Sequence, residues 1–172
     1  MPIVAVDREF NFDLSGVGII DTQTTEAIYK TTELLIKKGC RKISYIGPFL
    51  ATPSSARIEG YLRALKDSGR KINEKLIYQK GYFTCETGFK GVTSLFSEEY
   101  IDGIVCANDL IAMDVLLALD KKGLRVPKDV KVTGLDNISV SQYLIPPLTT
   151  VDLCGYRVGV ECANMLVSRI LD

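Results

Sequence analysis

Apolar and polar positions alternate between two periods along this chain. Runs of consecutive apolar residues, such as IVAV, VGII and GIVCA, give way to stretches with apolar positions three and four apart. The first pattern suits strands covered by helices on both faces, and the second suits amphipathic helices. The predicted strands are Ile3–Val6, Val17–Ile20, Lys42–Ile46, Ile77–Gly81, Gly103–Cys106 and Val130–Thr133, with a further extended piece at Leu148–Asp152. The first helical stripe is Ala27, Ile28, Thr31, Leu34 and Leu35, closed by Lys37, Lys38 and Gly39. Ile58, Tyr61, Leu62 and Leu65 form the second, opened by Ser54 or Ser55 and stopped at Gly69. Phe89, Val92, Leu95 and Phe96 form the third, and Ala112, Val115, Leu116 and Leu119, ending at Gly123, the fourth. Ala163, Leu166, Val167 and Ile170 form the last. Cations and glycine near a helix end, and Ser near a start, are the usual stop and start signals. Regular alternation of this kind predicts an α/β fold with a doubly wound, mostly parallel sheet. There is no internal repeat or linker. The chain opens inside a strand and closes on a helix, which is the pattern expected of a piece of a larger unit.

Composition then removes whole classes of function. The 172 residues suffice for one domain with a real core. Equal numbers of basic and acidic residues, 21 of each, leave no excess for a nucleic-acid surface. No apolar stretch has the length of a membrane span, and MPIVAVDREF lacks a signal-peptide layout, so a cytoplasmic protein without a membrane partner is expected. Cys40, Cys85, Cys106, Cys154 and Cys162 are odd in number and include no CxxC, which predicts reduced and mostly buried thiols. The absence of histidine excludes Ser-His-Asp and Cys-His catalysis and His-based zinc sites within this chain. GVG at 16–18 is not GxGxxG, and no GxxxxGK[ST] occurs, so no dinucleotide or P-loop cofactor is predicted. No metal-ligand cluster stands out. An enzyme is therefore not expected.

What remains is the chemistry at the strand ends, where open parallel sheets bind ligands. The predicted strands deliver Asp7, Asp21, Asn108 with Asp109, and Asp136 with Asn137. Phe83 follows the QKGY run, and the seam after ISYIG leads to Arg57. Asp109 precedes LIAM and reads as the cap of the helix that follows; Asp21, before TQTTEA, reads in the same way. Asn137 suits a turn. Since Asp109 supplies the cap, Asn108 is left either as a turn residue or as a carboxamide offering donor and acceptor to a hydroxylated ligand. Arg57 sits in a first helical turn, where a cation opposes the helix dipole by a few tenths of a kcal/mol or more. It is either a solvated surface arginine or a cleft residue whose cost a carboxylate such as Asp136 would offset. Phe83 is either core or a ring wall for a sugar or base.

Five runs taken together carry a resemblance. PIVAVDRE, LLIKKGCRKISYIGP, SSARIEGYLRALKDSG, ANDLIAMDVLLALDKKGLRVPKDVKVTGLDN and PPLTTVD, in that order and spacing, resemble the lactose/galactose-repressor (LacI/GalR) family of bacterial transcription regulators. The resemblance spans essentially the whole chain. It implies a periplasmic-binding-protein-like effector domain of two α/β lobes with the ligand between them. On that basis residues 13–137 and 152–172 are assigned to the carboxyl lobe, and 1–12 and 138–151 to amino-lobe and crossover pieces. The helix-turn-helix, hinge helix and most of the amino lobe would be missing, so DNA would be bound only through an absent amino-terminal domain. Ile3–Val6 and Leu148–Val151 would then be strands without a sheet.

Carried over position by position, the resemblance implies effector contacts at Asp7, Arg57, Phe83, Asn108 and Asp136. Arg57 would bind the ligand, Phe83 stack on it, and Asn108 and Asp136 meet sugar hydroxyls. Members responding to purines tend to lack the amide at the position of Asn108, which favours a carbohydrate effector. Ala51 and Pro53 stand where some members place polar contacts, and members regulated by a phosphoprotein share the fold. A homodimer is implied through Met113, Tyr143 and Leu144, whose other reading is packing within the lobe. The expected function is effector sensing in a transcription regulator; a transport binding protein of the same fold is the alternative.

Overall fold

The strand ISYIG, from Ile43 to Gly47, is buried along its whole length. It needs apolar or small residues at every position because helices cover it from both sides. In the computed structural model, which describes residues 1–7, 16–49, 54–97 and 100–171, this strand is β3 of six. The others are β1 (Ile3–Val6), β2 (Val17–Ile20), β4 (Ile77–Gln79), β5 (Gly103–Cys106) and β6 (Lys131–Thr133). The helices are α1 (Thr24–Lys37), α2 (Ser54–Asp67), α3 (Cys85–Leu95), α4 (Asp109–Lys121) and α5 (Gly155–Leu171).

Four strands form one parallel sheet in the order β4-β3-β5-β6. Successive side chains of a strand point to opposite faces, and β3 shows which helices lie where. The Tyr45 ring meets that of Tyr61 on α2, with centroids 5.5 Å apart. A methyl group added at Gly91 of α3 would instead stand 2.7 Å from the Ile46 side chain. So α2, with its partner α1, covers one face, and α3 with α4 covers the other. The doubly wound parallel arrangement expected from the periods is present. Each helix pair is close enough to require glycine at the crossing. A Cβ at Gly60 would fall 2.2 Å from the Thr25 carbonyl oxygen, and one at Gly88 would fall 2.1 Å from that of Ile111. Gly39, Gly69 and Gly123, at φ 83°, 72° and 72°, close α1, α2 and α4 in the left-handed conformation that glycine adopts readily.

The ends of the chain depart from expectation. Ile3–Val6 is not a strand without a sheet, because it pairs in parallel with β2, from Ile3 opposite Val17 to Val6 opposite Ile20. Helix α5 packs on this pair: a Cβ at Gly18 would collide with the Met165 sulfur, and the Arg169 guanidinium donates to the Gly16 carbonyl oxygen at 2.6 Å. Conversely, 148–151 lies against the large sheet, where Thr133 bridges Thr149 in parallel and Asp136 N–H donates to the Val151 carbonyl oxygen at 2.9 Å. The assignment of 17–20 and 155–171 to the same unit as the large sheet, and of 148–151 to the other, is thereby corrected. Residues 8–15, and hence the earlier part of the expected crossover, lie outside the described residues, as do Ala51 and Pro53. The predicted α5 stripe is corrected too: none of that helix is fully buried, and the half-buried positions run through Val158, Cys162, Met165 and Leu166. Among the thiols, Cys40 and Cys106 are buried, Cys85 and Cys162 half-buried and Cys154 exposed, so the mostly buried expectation fails for three of the five.

Candidate functional site

Sheet order places the candidate site. From β3 the chain runs outward to β4, then returns past β3 to β5, so the connections leaving β3 and β5 diverge at their carboxyl ends and open a crevice there. Arg57 reaches this edge from the first turn of α2, Asn108 from the end of β5, Asp136 from the turn after β6, and Phe83 from the segment after β4.

Three of these side chains touch. The Arg57 guanidinium carbon lies 4.5 Å from the centroid of the Phe83 ring, and its Nη2 stands 3.8 Å from Asp136 Oδ1. Arg57 is only 8% exposed, so it is not the solvated surface arginine of the alternative reading. A cation over an aromatic face and beside a carboxylate offsets the unfavourable dipole at the helix start. Its Nε is nevertheless buried without a hydrogen-bond partner among the described residues, a donor that a ligand or water could satisfy. Phe83 is half-buried and packs against the core, with its ring beneath the Arg57 guanidinium.

Asp136 adopts φ 107° and Asn137 φ 51°, a turn that only short polar side chains and glycine tolerate well. Burial pushes the Asp136 carboxyl up to about 6; Arg57 opposes the rise, and the negative fields of Asp109 and Asp7 add to it. This also places Asp7 within electrostatic reach of the cluster. Asp7 itself is engaged locally: Oδ1 accepts from Thr22 N–H at 2.7 Å and Oδ2 from the Thr22 hydroxyl at 2.5 Å.

The reading of Asp109 as the cap is corrected. Asn108 is the cap of α4, its side-chain oxygen accepting from Ile111 N–H at 2.9 Å, and it is 6% exposed. Asp109 is the first helical residue and fully buried. Its Oδ2 accepts from Ile138 N–H at 3.0 Å and the Ser141 hydroxyl at 2.6 Å, and its Oδ1 from the Thr150 hydroxyl at 2.6 Å. The residue taken for a cap therefore ties the β6 turn and the 148–152 segment to α4. The presumed ligand residue does the capping, which engages only its oxygen and leaves the amide nitrogen outside the cap. Asp21 is corrected similarly. Its Oδ1 accepts from Gln23 N–H at 2.7 Å, and α1 starts after Gln23 without a side-chain cap. Ser141, Thr150 and Thr22 went unread because their partners lie 15 to 41 positions away, and no local period signals such a contact. Among the described residues no group of acidic or cysteine side chains could hold a metal ion, and no helix is long and apolar enough to cross a membrane.

Known proteins resemble the chain over its whole length. The family model of a periplasmic binding protein-like domain matches residues 32–172. The transcriptional repressors named PurR are similar: that of Pasteurella multocida is 32% identical over 99% of this chain and 51% of its own length, and that of Actinobacillus pleuropneumoniae serotype 3 is 37% identical over 99% and 50%. The chain thus spans about half the length of these curated relatives. Among solved structures, the complex of the transcriptional regulator CelR with cellobiose superposes with a TM-score of 0.91 at 30% identity, covering 98% of this chain and 52% of that one. A sugar-binding transcriptional regulator of the LacI family from Escherichia coli does so with a TM-score of 0.81 at 28% identity, covering 96% and 60%.

Proposed function

Because the chain belongs to the periplasmic binding protein-like domain family, in the form carried by LacI/GalR regulators, we propose that it senses a small polar effector, a carbohydrate, at the crevice of Arg57, Phe83, Asn108 and Asp136 and thereby sets the DNA affinity of an intact cytoplasmic dimer. The observation that carries this reading is the contact set around Arg57: a buried guanidinium on the Phe83 ring, 3.8 Å from the Asp136 carboxylate, with one donor that has no partner among the described residues. A fork of donors beside a carboxylate matches neighbouring hydroxyls, each of which donates and accepts. Asp7 takes part through its field at Asp136 and through the end of the β1-β2 unit that it marks.

An effector acts only if it binds one arrangement of the two sheet units better than the other. Asp7 belongs to the small unit, and Arg57, Asn108 and Asp136 to the large one, so a ligand touching both would favour their approach. Homodimerisation would use Met113, Tyr143 and Leu144. Tyr143 is 75% exposed, whereas Met113 and Leu144 are half-buried. A second reading, a purine-type effector, is favoured by the relatives named PurR and by the ring face that Phe83 offers.

Calorimetric titration with a panel of mono- and disaccharides and of purine bases tests both readings. Saturable sugar binding that Arg57→Ala abolishes supports the carbohydrate; binding confined to purine bases replaces it with the second reading; and binding of neither class refutes the effector site. A periplasmic transport role would instead be revealed by export of the intact gene product.

A further inference from the structure

The end of the large sheet opposite the effector crevice holds a second cavity. It lies where α2 finishes and β3 and β4 begin, about 320 Å³ in volume, within the range of small-molecule pockets. Helix α2 thus runs between the two sites, its 14 residues placing them roughly 20 Å apart by helical rise.

Its floor is apolar and fixed. Leu65 and Leu76 are buried, and Tyr61 beside them donates its hydroxyl to the Ile43 carbonyl oxygen at 2.8 Å. The rim is cationic, carrying Arg41, Arg70 and Lys71 in a chain whose net charge is zero. None of the three forms an ion pair with a carboxylate among the described residues. Asp102 beside this rim is engaged by backbone donors. It accepts from Arg41 N–H at 2.8 and 3.0 Å and from Lys42 N–H at 2.9 Å. The Arg70 guanidinium is preset, with Nη1 donating to the Arg41 carbonyl oxygen at 3.1 Å, which lowers the entropy lost when its other donors engage a ligand. Two guanidiniums, one ammonium and an apolar floor suit a dianionic head joined to a small apolar body.

We propose that this cavity binds a small organic phosphate, independently of the effector crevice. The test uses the chain as it stands, with phenyl phosphate as the organic probe and inorganic phosphate as the bare anion, both titrated calorimetrically at fixed ionic strength. Saturable one-to-one binding of phenyl phosphate is expected, weakened at least tenfold in the Arg41→Gln/Lys71→Gln double variant. Both positions are exposed, so the fold should persist, and an unchanged circular dichroism spectrum checks this. Arg70→Lys, which keeps the charge and loses the fork, should give an intermediate loss. The proposal is overturned if phenyl phosphate does not saturate or if the double variant binds it unchanged. It is also overturned if Arg57→Ala removes the binding, which would put the probe in the effector crevice. Equal affinity for inorganic phosphate would show that the apolar floor is not read, and would overturn the organic ligand.

Discussion

Arg57 and Asp136 face each other at 3.8 Å across the crevice, too far apart for a hydrogen bond and near enough to feel each other's charge. The pair is thus held in mutual range without being consumed, and both groups keep hydrogen-bonding capacity for a ligand.

This arrangement predicts a pH dependence. Burial raises the Asp136 carboxyl to about 6 in the folded chain, against 3.8 for an ordinary aspartate. A carboxyl raised on folding favours the folded state most when protonated, below the unfolded value. That contribution is lost as pH rises from about 4 through 6. Effector binding runs the other way where the ligand donates hydroxyls to the carboxylate: affinity should increase between pH 5 and 7 and then level off. Titrations across that range should show the rise in the native chain and a flat profile in Asp136→Asn. A native profile as flat as the variant's would remove Asp136 from the ligand contacts.

Asn108 carries two roles that different substitutions separate. Asn108→Ala removes the cap of α4 and should lower stability by about 1 kcal/mol in urea denaturation. Asn108→Ser retains a capping oxygen and should fold nearly as well while losing the amide donor. If the effector uses that donor, both variants bind it more weakly, by roughly tenfold for a hydrogen bond of about 1.4 kcal/mol. Native affinity in the serine variant would leave Asn108 as a cap only.

Asp109→Ala should be far more damaging than any change at the crevice. It strands the Ser141 and Thr150 hydroxyls and the Ile138 N–H, and buried hydrogen bonds to a charged group contribute about 1.5–3 kcal/mol each before relaxation. Denaturation should show a loss of several kcal/mol. Amide exchange in 134–152 should rise, since that segment is what the carboxylate holds.

Gly88→Ala sets helix propensity against packing. Alanine is preferred to glycine in a helix by about 1 kcal/mol, yet its methyl would sit 2.1 Å from the Ile111 carbonyl oxygen. Backbone cannot yield as a side-chain tip can, so a net loss of about 1–3 kcal/mol is expected from overpacking. A more stable Gly88→Ala variant would show that α3 and α4 can separate without penalty.

The sequence by itself determined the elements and their order. Consecutive apolar runs marked β1, β2 and β5 with their observed bounds, and three-to-four spacings marked all five helices, because covering a strand on both faces and burying one face of a helix are local requirements written at fixed periods. It also determined that Arg57, Phe83, Asn108 and Asp136 stand at strand and helix ends, and the family resemblance implied their grouping. The tertiary structure alone decided which of the adjacent Asn108 and Asp109 caps α4, since both residue types cap well and only the distant hydroxyls of Ser141 and Thr150 draw the carboxylate inward. It alone decided that β2 and α5 belong with β1, because a strand's pattern records that it is covered and not by which partner. Pairing is settled by contacts across 14 to 153 positions, a distance no local period spans.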